Sequence, residues 1–133
     1  MLSAKKVRKI LDEIAEGAGI QEIDEKEYGN ECHNVFYLMS GSESYFMKFI
    51  WYDSGSWCID VADRIIVEVD LRIFTAGNMT IYPRGFDNFV IKMIKDRLAE
   101  LITNYDKALK DVKQKEKDRK LKDILNARGK YDV

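Results

Sequence analysis

One histidine, one proline and two cysteines are all that this 133-residue chain holds of three residue types that often mark sites, kinks and cross-links. With His33 alone, a single chain cannot build a two-histidine zinc motif. Cys32 and Cys58 are too few for a disulfide scaffold and read as reduced thiols. Their spacing lacks a CxxC element, so a zinc ion held by Cys32, His33, Cys58 and Asp60 is not expected. No apolar run approaches the ~20 residues that cross a bilayer. Neither a P-loop nor a GxGxxG fingerprint occurs. The segment Met1 to Ile10 is basic and amphipathic, without a signal peptide's apolar centre, so export is not expected and a cytoplasmic location follows.

What is present describes a folded domain. The chain is 46% hydrophobic and 34% charged, a balance that excludes a largely disordered protein. The net charge of −1 conceals an asymmetry. Residues 1–91 hold nine Lys/Arg and fifteen Asp/Glu, whereas residues 92–133 hold thirteen and eight. An acidic body therefore carries a basic C-terminal arm, a polarity that can steer a partner's approach. The expected division is an α+β domain over 1–112 and a basic helical arm over 113–133.

The pattern from Phe86 to Val112 organises the rest. Ile91, Ile94, Leu98, Leu101, Tyr105, Ala108 and Val112 recur at steps of three and four, the stripe of a helix lying on a broad core. Asp87 is placed to cap it, and Phe86 and Ile91 stand at the spacing of a hydrophobic staple. A shorter helix runs from a Ser3 cap to about Glu16, with Val7, Ile10, Leu11 and Ile14 on one face and Gly17 and Gly19 as its stop. Ile20–His33 is acidic and weakly patterned and reads as a turn of helix followed by a loop at Gly29-Asn30. From Asn34 the period falls to two, predicting strands at Asn34–Ser40, Tyr45–Tyr52, Trp57–Val61, Arg64–Phe74 and Met79–Tyr82. Gly41-Ser42-Glu43-Ser44, Asp53-Ser54-Gly55-Ser56 and Ala76-Gly77-Asn78 supply the turns. In Arg64–Phe74, Val67, Val69 and Leu71 are expected to face the core. The fold class is thus an antiparallel meander of four to five strands between a short N-terminal helix and a long C-terminal helix that covers one face.

The candidate chemistry is sparse. Gly41-Ser42-Glu43-Ser44 lies between strands rather than before a helix, so it is not a nucleophile elbow. Asp60/Asp63 and Glu68/Asp70 on a wet sheet face are more simply solubilising than catalytic. No enzyme activity, cofactor, metal, membrane contact or small-molecule substrate is inferred.

Two apolar features have no core to cover. Along Tyr45–Tyr52 both strand faces carry bulk, and beyond Lys113–Lys120, which holds no apolar residue, Leu121, Ile124 and Leu125 resume a helical stripe before a stop at Gly129. In an unbroken helix Leu121 lies about 180° from Val112, facing away from the core. Such patches point to a partner. The expected function is a non-enzymatic interaction module (adaptor, inhibitor or assembly subunit) that binds another protein chain, most simply as a homodimer, through Phe46, Ile50, Tyr52, Trp57, Leu121, Ile124 and Leu125. The alternative is a nucleic-acid accessory protein. Its phosphate contacts would come from Lys110, Lys113, Lys117, Arg119, Lys120 and Lys122, and the sheet aromatics Tyr45, Phe46, Trp51, Tyr52 and Trp57 would stack on bases. The pI near 5.9 argues against this alternative.

Overall fold

Period-two and period-3.6 segments alternate in the structure much as in the sequence. The computed structural model describes residues 2–29 and 31–131. Helix α1 (Ala4–Ala18) is followed by β1 (Glu22–Tyr28), β2 (Cys32–Leu38), β3 (Met47–Tyr52), β4 (Trp57–Val67) and β5 (Ile73–Ile81), a 3-10 turn at Pro83–Gly85, and helix α2 (Asn88–Tyr131). The strands form one antiparallel sheet in the order β1-β2-β3-β4-β5. The fold is α+β, with the long C-terminal helix packed on the sheet.

Both helices begin, and α1 also ends, as their sequences dictate. The Ser3 hydroxyl accepts from the Lys6 N–H at 3.3 Å, and Gly19, at φ +96°, returns its N–H to the Ala15 and Glu16 carbonyls. Asp87 accepts from the Val90 N–H at 2.9 Å, and Phe86 and Ile91 both pack at the rim of the core. Pro83 opens the 3-10 turn, outside any ladder.

The covered face is set by strand register. Val35, Phe49, Ile59 and Ile81 form one row across four strands, and Tyr37, Met47, Val61 and Met79 form the next. On these rows lie Val7, Leu11 and Ile14 of α1 and Ile94, Leu98, Leu101 and Tyr105 of α2, all buried. A polar chain that runs from the buried Tyr37 out to the exposed Glu25 ties α1 to the sheet. The Tyr37 hydroxyl donates to Asp12 at 2.7 Å, and Arg8 spans Asp12 (2.9 Å) and Glu25 (2.7 Å). Burial, reinforced by the adjacent Asp12 carboxylate, pushes the Tyr37 phenol well above its ordinary range.

Four expectations are corrected. Ile20–His33 is not helical: Glu22–Tyr28 forms the edge strand β1, paired with β2 from Glu22↔Leu38 to Tyr28↔Cys32. Asn30 lies outside the described residues. Arg64–Phe74 is not one strand but the end of β4, a hairpin turn and the start of β5. The Leu71 N–H bonds the Glu68 carbonyl at 2.9 Å, and Leu71 itself holds φ +67°. Val67 and Val69 are therefore exposed, Val69 to 93%, while Leu71 sits in the turn. Ala76-Gly77-Asn78 does not turn the chain, because β5 runs straight through it. Gly129 does not stop α2, which continues to Tyr131.

Candidate interaction surfaces

Strand alternation settles first which polar residues can meet. Cys32 and His33 are neighbours in β2 and so project from opposite faces. Register puts Cys58 and Asp60 on the face of Cys32, away from His33, so those four residues do not converge. Among the described residues no three His, Cys, Asp or Glu side chains are placed to hold a metal ion.

His33 instead ties strand β1 to the turn after β3. Its Nε2 lies 2.8 Å from Asp53 and its Nδ1 3.4 Å from Glu27, and its ring stacks on Trp51 with centroids 5.1 Å apart. The hydrogen bond to Asp53, with the two nearby carboxylates, raises the His33 pKa above its ordinary value. The serines after Gly41 are occupied structurally. Ser44 Oγ accepts from the Thr75 N–H at 2.7 Å, and Glu43 receives a two-pronged contact from Arg72, both arms 2.7 Å. They lie beyond the far end of β2 from His33, so no Ser–His–acid set forms.

The outer sheet face carries a small polar cluster in an apolar setting. Asp60 is buried there, accepting from Thr80 at 2.6 Å with the Lys48 ammonium 3.8 Å away. Burial, then the Asp60 carboxylate, pushes the Cys58 thiol up, which keeps it protonated and a poor nucleophile. Phe36 and Tyr45 meet at 5.6 Å beside this cluster. Nearer the other end, an open groove of about 830 Å³ runs between Tyr52 and Tyr82 over Cys58, with Arg84 the one charged residue of its lining. No acid–base pair lines it.

The expected partner-binding residues divide into three groups. Phe46 and Trp57 are in the core, at 1% and 3% exposure, so neither is available to a partner. Phe46 and Met47 both stand opposite Tyr37, since the Phe46 N–H bonds the Tyr37 carbonyl while Met47 is its register partner. This bulge turns Phe46 inward onto Tyr105, with centroids 5.5 Å apart. Trp57 packs edge-on against Phe86 and donates to the Leu2 carbonyl at 3.2 Å. Ile50 is half-buried and Tyr52 exposed on the outer face. Of the sheet aromatics suggested as a stacking platform, Phe46 and Trp57 are buried and Trp51 stacks on His33 and Phe49, which leaves Tyr45 and Tyr52.

The third group lies on α2. Its buried positions, Ile94, Leu98, Leu101, Tyr105, Ala108 and Val112, end at Val112, and every residue from 113 to 128 is exposed. The helix does not break there: it holds 44 residues, a length of about 66 Å against a body about 36 Å across. Leu121, Ile124 and Leu125 stand on this free stretch at 57%, 54% and 57% exposure. Lys110, Lys113, Lys117, Arg119, Lys120 and Lys122 are exposed around them. No helix among the described residues is long and apolar enough to cross a membrane. Compared with known proteins, the chain matches no family model, no curated protein and no solved structure.

Proposed function

We propose that this chain is a non-enzymatic interaction module that assembles with another protein chain, most simply a second copy, through the apolar stripe of its projecting helix. The outer-face residues Ile50 and Tyr52 are a secondary contact. The observation that carries this reading is the exposure of Leu121, Ile124 and Leu125 on a helix that has left its own core. Burying each such side chain is worth about 1.5–3 kcal/mol, which a lone chain forgoes. The stretch from Lys113 to Lys120 contains neither Gly nor Pro, so the chain has no breaker with which to fold the stripe back.

The test is mass in solution, with and without nucleic acid. The wild type should form a dimer without nucleic acid, and the triple change Leu121→Ser, Ile124→Ser, Leu125→Ser should give a folded monomer with an unchanged sheet. A wild type that stays monomeric at high concentration, and gains mass only when nucleic acid is added, overturns the reading in favour of phosphate binding by the arm's lysines.

A further inference from the structure

The apolar stripe of the arm is bounded by opposite charges, an acid before it and a base after it. At about 100° per residue, Gln114, Asp118, Leu121, Leu125 and Arg128 fall within an arc of about 80° on α2, with Ile124 at its border. Their spacing alternates four and three residues, the seam of a two-stranded coiled coil. Asp118 and Arg128 are both exposed, and the Asp118 carboxylate accepts from Gln114 of its own helix at 3.0 Å.

That order complements itself only when it is reversed. In a parallel pair every seam position meets its own copy, so Asp118 would face Asp118 and Arg128 would face Arg128. In an antiparallel pair with its two-fold axis level with Asp123, Leu121 meets Leu125 and Asp118 meets Arg128, each contact occurring twice. Ile124 then packs beside its own copy across the axis. Like charges at a seam oppose pairing and opposite ones favour it, so charge selects the antiparallel arrangement.

The basic surplus of the arm does not stand in the way. Of the seven Lys/Arg in residues 113–128, Lys113, Lys115, Arg119 and Lys120 lie about 100° or more from the centre of the seam. Lys117 and Lys122 border it, where a long side chain keeps its ammonium in water. The folded bodies are clear of it as well. Their buried stripe ends at Val112, and the two Val112 residues of such a pair lie about 33 Å apart along the axis, one body at each end.

Resting on the reading of the arm as an assembly element, we propose that it binds the arm of a second copy as a short antiparallel coiled coil. Leu121, Ile124 and Leu125 form its dry centre, and the two Asp118–Arg128 pairs close its ends and fix its direction.

Sedimentation equilibrium of charge variants tests this, with circular dichroism confirming that each stays folded. Asp118→Arg and Arg128→Asp should each weaken the dimer at least tenfold, since each sets two like-charged pairs across the seam. Both substitutions in one chain should recover the dimer, because the opposite charges then meet in exchanged positions. In a parallel pair the single changes only swap one like-charged contact for another. Single variants that keep the dimer while the triple serine variant loses it therefore overturn the antiparallel seam and leave arm-mediated assembly standing. A double variant no better than the single ones overturns it equally. A wild type without any dimer removes both this contact and the reading beneath it.

Discussion

At Gly77, strand β5 passes close to the Asp63 side chain that Arg97 of α2 holds. Ala76-Gly77-Asn78 has the composition of a turn, but Gly77 lies inside β5 at φ +66°. A Cβ added there would come within 2.5 Å of the Asp63 carboxylate, which Arg97 of α2 holds at 2.9 Å. Glycine is needed so that strand, carboxylate and helix can meet, a requirement that depends on residues 14 and 20 positions away and has no local signature. Gly55 supplies an internal control: it too has positive φ, at +97°, with open space around it. Gly55→Ala should cost about 1–2 kcal/mol from backbone conformation alone. Gly77→Ala should cost more, because Asp63 must also move. Equal shifts in the urea midpoints of the two variants would mean that the Asp63–Arg97 contact tolerates displacement. Leu71 is the converse case. It occupies a left-handed turn position where glycine is usual, so Val-Glu-Val-Asp-Leu-Arg-Ile-Phe alternates straight through a hairpin and reads as one strand.

Among elements, legibility followed the apolar pattern. The two helices and the central strands carry a stripe or an alternation, and their caps are written in Ser3, Gly19 and Asp87. β1 carries neither: of Glu22–Tyr28 only Ile23 and Tyr28 are apolar, and its charges suit an exposed edge better than a core. What joins this strand's far end to the body is polar, and it is open to a pH test. The His33 pKa is raised in the fold, so its contribution to stability is complete below the unfolded value near 6.5 and is lost as pH rises through the folded value. The denaturation midpoint should therefore be higher at pH 6 than at pH 8. Because His33 is the chain's one imidazole, its NMR titration needs no assignment. Asp53→Asn should move that titration back toward the ordinary range and reduce the midpoint difference. A wild-type titration at or below 6.5 would mean that the Asp53 and Glu27 contacts do not persist in solution.

At the scale of the whole molecule, the question is where the folded body ends along a helix that does not end with it. Hydrophobic periodicity carried the core stripe to Val112, and exposure places the last buried side chain at that residue. Beyond it the described side chains are all exposed, and the one side-chain hydrogen bond of the stretch, Gln114 to Asp118 at 3.0 Å, is local to the helix. An isolated helix of sixteen residues is marginal in water, so this segment draws its order from continuity with the packed part of α2 rather than from contacts of its own. Nothing in residues 1–112 then depends on it for folding. A chain ending after Val112 should unfold at a midpoint within about 0.5 kcal/mol of the monomeric serine variant, as expected for a change that removes no buried group. It should also lose the dimer completely, together with helical ellipticity from the missing turns. The serine variant is the proper reference, because a dimeric wild type gains apparent stability from association alone. A truncated chain that loses several kilocalories, or fails to fold, would mean that the arm supports its own body. The exposure of Leu121, Ile124 and Leu125 would then need an explanation other than a partner.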